Sequence, residues 1–452
     1  MESDFRNRNG ARSDGGMRAD SPAPDAAEVA LPPFFAQRSV QAKVKHTILR
    51  QYAGAWAGII ANGVRGAAVR ARADGRGYRL DLVYIDGFGG AGRYGVDVDG
   101  SPGPVWASPI IGVQALEVQA AAHASVLDVR ISAIICEKES DCYLPLVANL
   151  HAAGLRTPIT EVAAVGPAAL GRVNVLRGDF RRQLEDVRRL LGPGTNADPF
   201  VLAMVDPYGP CMAMADLHRL LGRQRTDAIV NFPYYDLEVR SGSARKDAVD
   251  RAPMDRQNVE VRNAHFGTEA WHQYSPLPAA RREAEWARLY GNQLRAASPG
   301  LLAKNIPLQL GDIARTAYHL FLVTRDPNGA MKMNEVLRGA EIDEQWIRWH
   351  GQEARLKAEA RALGQQSLFG GDPGALPPPA FAKRAFGPEE VAAVLKTRVG
   401  GRELSLTGVY GCMADTLYTA GEVQKGLALL KRRGEAEYAG LSSGSTPVRV
   451  AA

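Results

Sequence analysis

The chain has 452 residues, of which 46% are hydrophobic and 23% charged, with 55 Lys plus Arg against 49 Asp plus Glu for a net charge of +6. That is the length of a two- or three-domain protein and the composition of a soluble globular one. It leaves no apolar run of the roughly 18 residues a membrane span needs, and the mild basicity permits a polyanionic partner without requiring one.

The opening "MESDFRNRNGARSDGGMRAD" has no apolar signal core, so the expected location is cytoplasmic with no membrane contact. Residues 1–38 read as a disordered tail, polar and poor in aliphatics. Residues 40–63 place apolar side chains at helical spacing up to an Asn-Gly stop. Arg65, Arg70, Arg72, Arg76 and Arg79 follow, either a solvated face or a phosphate contact. Strands and helices then alternate. Strands are predicted at 82–86, 130–137, 172–179, 199–207 and 226–233. Helices are predicted at 108–125 (with Ser108 as cap), 139–154, 180–191 and near 212–221. The strands are nearly continuous apolar runs, the mark of burial on both faces, which predicts a doubly wound, Rossmann-like α/β domain over 39–345. A mostly helical insertion is expected at 234–316, then a late strand, a Pro-Asn-Gly turn and a returning helix. Residues 346–386 read as a helix and a Gly/Pro-rich linker. From 387 to 452 a helix, a helix–turn–helix and two short strands suggest a winged helix that binds nucleic acid or protein. Lys425, Lys431 and Arg432 are its candidate substrate-binding residues. Cys136, Cys142, Cys211 and Cys412 have no metal-ligand spacing and read as small buried hydrophobes, so no disulfide and no metal site is expected.

Functional residues are expected where the strands end. In a doubly wound sheet, ligands bind outside the carboxyl ends of the strands, where strand order reverses. The first strand ends at Asp86, followed by Gly87, Gly89, Gly90 and Gly92 in "DGFGGAG", a backbone able to approach a ligand without Cβ atoms. The second ends at Glu137, whose two oxygens suit a ribose diol, and the third leads to Asp179, placed to meet an adenine amino group. "RYGVDVDGSPGP" after the glycines breaks a helix, so a pyrophosphate would lack its helix N-terminus. S-adenosylmethionine is therefore the expected cofactor. The fourth strand ends in "VDPYGP". Asp206 and the Pro207 region would accept the hydrogens of an exocyclic amine, and Tyr208 would stack on an unpaired base. Asn231, Tyr234 and Tyr235 at the fifth strand's end are candidate substrate contacts. His46, His265, His272 and His319 read as structural or surface residues, His319 facing outward, and Trp271 and Trp286 as core.

The segments "KHTILRQYAGAWAGI", "YIDGFGGAGRY", "CEKE", "VDPYGP", "DAIVNFPYYD" and "YHLFLVTRDPNGAMKMNEVL", among eight in order from Lys43 to Leu337, resemble the three-Cys-motif partner proteins (TcmP). The resemblance implies a class I methyltransferase-like fold and a genomically linked partner that looks like a radical-SAM iron–sulfur protein. It also maps Asp86, Gly87, Gly89 and Gly92 to the cofactor loop, Glu137 to the ribose and Asp206 and Pro207 to the fourth-strand motif. Amino-methyltransferases usually carry a second proline before the tyrosine; here it is absent. Three readings follow: a methyltransferase acting on nucleic acid, a non-enzymatic adaptor on the same fold, and a metal-dependent nuclease built from Asp86, Glu137, Asp179 and Asp206.

Overall fold

The computed structural model describes residues 30–166, 169–195, 197–239, 253–309, 316–363, 375–377 and 385–452. In chain order its first part contains α1 (Val40–Ala73), β1 (Arg79–Asp86), β2 (Arg93–Val96), β3 (Pro102–Trp106), α2 (Ser108–His123), β4 (Asp128–Glu137), α3 (Ser140–Ala152), β5 (Ile159–Val162) and β6 (Val173–Arg177). It continues with α4 (Phe180–Leu191), β7 (Phe200–Val205), α5 (Met214–Leu221), β8 (Thr226–Phe232), α6 (Tyr234–Val239), α7 (Pro253–Phe266), α8 (Ala279–Ala296), β9 (Leu302–Gln309), β10 (Thr316–Thr324) and α9 (Pro327–Ala362).

Eight strands form one sheet in the order β5-β6-β4-β1-β7-β8-β10-β9. The first six in that row are parallel, and β10 runs antiparallel to β8 and β9. Strand order reverses between β1 and β7, so the domain is a mostly parallel, Rossmann-like α/β sheet. Alternate β1 residues serve opposite cores. Leu82 and Tyr84 pack with α1, α2 and α9 residues such as Leu49, Ile110 and Val336. Val83 and Ile85 pack with α4, α5 and α8 residues such as Leu184, Leu217 and Trp286. Each buried Val or Ile here contributes about 1.5–3 kcal/mol, which is why the strands carry no polar alternation.

The last part consists of α10 (Pro388–Val399), β11 (Glu403–Ser405), α11 (Leu406–Met413), α12 (Ala420–Arg432), β12 (Ala436–Glu437) and β13 (Pro447–Val450), with sheet order β11-β13-β12. It has its own core around Val391, Leu395, Val409, Leu427 and Val448, which Met331 of α9 enters. Buried polar contacts fix it to the α/β domain. Arg338 pairs with Glu422 at 2.5 Å, Asn334 donates to the Tyr418 carbonyl at 2.6 Å, and Lys304 donates to the Thr416 carbonyl at 2.6 Å. Burial raises the Glu422 carboxyl, but hydrogen bonds from Arg338 and the Phe386 and Thr419 N–H groups outweigh it and bring it down to about 2. Lys304 lies opposite Leu322, near the end of the reversed strand β10. The docked part therefore sits toward the end of the sheet where the parallel strands begin, away from their carboxyl tips.

Several expectations are corrected. Residues 30–38 are ordered: Phe35 is buried and Arg38 pairs with Asp97 at 2.7 Å, so that part of the predicted tail is structured by an aromatic anchor and an ion pair. α1 passes through Asn62-Gly63 to Ala73, because Ala68 and Ala71 remain on its buried face and their packing outweighs a single glycine's cost of about 1 kcal/mol. Ser108 is the first helical residue and Ala107 holds the cap position. β5 was not predicted, and the expected helical insertion contains β9. Pro327, Asn328 and Gly329 form the first turn of α9 rather than a loop, since Pro suits a helix start and Asp326 caps it through the Asn328 N–H. His319 is buried, with Nδ1 at 2.8 Å from Asn305 Oδ1, so it does not face outward. Cys136 is buried, but Cys142 and Cys412 are half-buried and Cys211 is exposed, so the buried reading holds for one cysteine of four. The stretch read as a linker lies largely outside the described residues.

Candidate functional site

The carboxyl tips of β1, β4 and β6 bear three of the predicted acids, and each is held by the protein. Asp86 is fully buried. Its oxygens accept from Tyr84 Oη and the Phe88 N–H, both at 3.1 Å, and from the Ser108 hydroxyl. Burial pushes its carboxyl up to about 6, against the pull of those donors. Glu137 accepts the N–H groups of Gly90 and Glu139, each at 2.7 Å. Burial raises its carboxyl as well. The Lys138 N–H also donates to this carboxylate. Asp179 caps α4 through the Arg181 N–H at 3.0 Å and pairs with the Arg181 guanidinium, which holds its carboxyl below the usual range.

The glycines of the loop are closely packed by the protein itself. A Cβ on Gly87 would stand 2.7 Å from Phe180, on Gly89 2.9 Å from Ile135, on Gly90 2.7 Å from Phe35 and on Gly92 3.2 Å from Leu146. Gly90 and Gly92 also have φ of +58° and +77°, a region that favours glycine. Protein atoms therefore press on all four positions. No helix follows the glycines, as their helix-breaking successors led one to expect; the chain forms the β2–β3 hairpin, which was not predicted.

Across the switch point the tips of β7 and β8 differ. Asp206 pairs with Lys45 of α1, Nζ to Oδ2 at 2.5 Å, and accepts Asn231 Nδ2 on Oδ1 at 2.8 Å. The Lys45 ammonium also lies 4.6 Å from the centre of the Tyr318 ring. Asp206 raises the hydroxyls of Tyr94 and Tyr318 beyond what burial alone does, and adds to the rise at Asp86, so these groups share one electrostatic neighbourhood. Pro207 is buried. Tyr208 is 88% exposed and meets Phe34, 67% exposed, edge to face at 6.2 Å. Sequence reasoning missed Lys45 and Phe34. The signal for Lys45 was available: it shares a helical stripe with Ile48, Leu49 and Tyr52, all buried, so a cation stands on an apolar face.

Other predicted residues lie elsewhere. Tyr234 is buried against Trp286 and His319, so it cannot stack on a base. Tyr235 is half-buried. Lys425, Lys431 and Arg432 are exposed on α12, and Lys431 donates to the Tyr438 carbonyl at 2.6 Å. They belong to the docked C-terminal part and do not join the strand-tip cluster. Three of the five early arginines are engaged locally: Arg72 with the Ser125 carbonyl, Arg76 with Asp74 and Arg79 with Asp128, which favours the solvated-face reading. Trp271 and Trp286 are core residues. His46 and His265 are buried too, and burial holds both imidazoles below their ordinary range.

Two clefts are lined by other residues. One of about 310 Å³ lies between Lys43, Val98 and Trp346, and one of about 560 Å³ between Arg72, Tyr78 and Leu127. Neither is lined by a strand-tip acid, so chemistry rather than concavity marks the candidate site. The four acids of the nuclease reading are each tied to a separate partner, and no group of three or more His, Cys, Asp or Glu side chains among the described residues is placed to hold a metal ion. No helix among the described residues is long and apolar enough to cross a membrane.

No family model matches the chain, and no curated protein matches it. Among solved structures it is similar to a chain from Klebsiella pneumoniae provisionally assigned as an O-methyltransferase, at 15% identity and a TM-score of 0.26, covering 66% of this chain and 91% of the other.

Proposed function

We propose that the protein is an S-adenosylmethionine-dependent methyltransferase acting on nucleic acid. The observation that carries this reading is the pairing across the switch point: Glu137 at the tip of β4 and Asp206 at the tip of β7 flank β1, whose Asp86 senses the charge of Asp206. Glu137 would take the ribose hydroxyls and Asp179 the adenine side of the cofactor, which supplies an activated methyl group. The protein's own task is alignment of the acceptor and removal of its proton. Asp206 is the proton acceptor, Asn231 holds its carboxylate in place, and Tyr208 with Phe34 offers exposed rings for an unpaired base. The amine assignment drawn from "VDPYGP" loses support, because the Lys45 ammonium beside Asp206 opposes the positive charge that an amine gains as it is methylated.

The helix–strand–helix–helix–strand–strand order of residues 388–450, with the last strand central in its sheet, supports a winged helix. The first turn of α12 is docked on α9 through Glu422, and toward its far end Lys425 and Arg432 stand exposed, where an anionic partner would meet them. The resemblance to TcmP proteins supports cooperation with a radical-SAM iron–sulfur partner. The test is a thermal melt with S-adenosylmethionine, followed by transfer of labelled methyl to DNA and RNA pools. A rise in melting temperature and label in one pool are expected; no rise and no label would defeat the reading.

The adaptor reading has one observation in its favour. Phe35 and Phe180 already press on the glycine loop, as in a fold that keeps its shape without a ligand. An unchanged melt with the cofactor, together with retained nucleic-acid binding, would select it.

A further inference from the structure

The group closest to Asp206 is a cation from another element. Lys45 Nζ lies 2.5 Å from Asp206 Oδ2, in a part-buried pair roofed by the Tyr318 ring. Beside it, Tyr318 Oη and Asn231 Oδ1 are buried and have no hydrogen-bond partner among the described residues. The cluster therefore holds one base, one cation and two polar atoms still to be satisfied, at the strand end where an acceptor would enter.

An amine and a hydroxyl ask opposite things of such a cluster. A neutral amine gains positive charge as its lone pair attacks a methyl group, so a neighbouring ammonium opposes the reaction. A hydroxyl loses its proton, and its oxygen carries negative charge on the way to the product, so it needs a base on one side and a positive donor on the other. Lys45 beside Asp206 is the second arrangement.

We propose that the acceptor atom is a hydroxyl oxygen, with Lys45 as a further catalytic residue. This rests on the methyltransferase reading above. An internal nucleotide has one free hydroxyl, the ribose 2′-hydroxyl, so the substrate is RNA. In the step, the oxygen–carbon bond forms as the sulfur–carbon bond of the sulfonium donor breaks, and the donor leaves as a neutral thioether. The hydroxyl proton passes to the Asp206 carboxylate and later to solvent. Lys45 keeps its proton throughout and donates a hydrogen bond to the reacting oxygen. Tyr318 Oη and Asn231 Oδ1 are left to bind the ribose.

The experiment uses the full chain with methyl-labelled donor and single-stranded RNA, with DNA of matching sequence in parallel. Label is expected in RNA alone, in dinucleotides that resist alkali because the 2′-oxygen is blocked. Lys45→Met should lower the rate roughly 100-fold, with Lys45→Arg recovering much of it. Binding gives a second readout. Fluorescence anisotropy should show RNA bound several-fold more tightly than the 2′-deoxy strand, with the preference lost in Lys45→Met, or in Lys45→Gln if that variant does not fold. Label on a base amine, or equal binding of both strands by the wild-type chain, overturns the oxygen assignment and leaves the methyltransferase reading standing. Label in neither pool overturns both.

Discussion

The tips of β1 and β4 and the tips of β7 and β8 lie on the two sides of one switch point, yet they treat their carboxylates differently. Asp86 and Glu137 are buried and accept hydrogen bonds from neighbouring residues of their own framework, mainly backbone N–H groups. Asp206 is partly open, is met by a lysine from a distant helix, and stands beside an exposed tyrosine. The bonds of the first pair hold the glycine loop in shape, whereas Asp206 is reached by a side chain of another element. An acid at a strand end thus has two meanings, and its partners tell them apart.

The sharpest way to break this comparison is Asp206→Asn, which keeps the shape and removes the base. Methyl transfer should fall by roughly 100- to 10,000-fold while the melting temperature changes little. A comparable loss of stability would make Asp206 a framework acid like the others. Glu137→Ala should do the reverse and destabilise the fold first. It leaves the Gly90 and Glu139 N–H groups without an acceptor, about 1–3 kcal/mol for each, to be read by urea denaturation. Gly90→Ala meets both a positive φ and the Phe35 ring, so a loss of about 1–3 kcal/mol is expected in the same assay. Tyr208→Ala should leave the melt unchanged and weaken nucleic-acid binding by about 1–3 kcal/mol, measured by anisotropy.

The smallest expected effect is on pH. The Asp86 carboxyl is raised from 3.8 to about 6, so the folded state binds its proton more tightly than the unfolded chain does. Its contribution is fully present below about pH 3.8 and is lost as pH rises through about 6. Glu422 has the opposite sign, with a contribution present above about pH 4.5 and lost as pH falls toward 2. Melts of Asp86→Asn and Glu422→Gln across pH 3–8 should therefore diverge from the wild-type curve in opposite directions.

The alternation of apolar strands and helices, the absence of a helix directly after the glycines and the acids at strand ends could all be read along the chain. They depend on local periodicity and on residues such as Gly, Pro and Asp whose backbone preferences act within a few positions. β9 was hidden because its edge position allows Lys304, Asn305 and Pro307 among its apolar residues, which breaks the pattern of a buried strand. Sequence could not say which acids were already spoken for, since Gly90, a donor to Glu137, and Lys45, a donor to Asp206, lie 47 and 161 residues away. Nor could it show that the glycines yield to Phe35 and Phe180, or that the basic end of α12 lies apart from the strand tips. Those facts belong to tertiary structure alone, because a hydrogen bond or a ring contact depends on distance in space, and only the closed sheet brings Lys45, Asp206 and Asn231 within reach of one another.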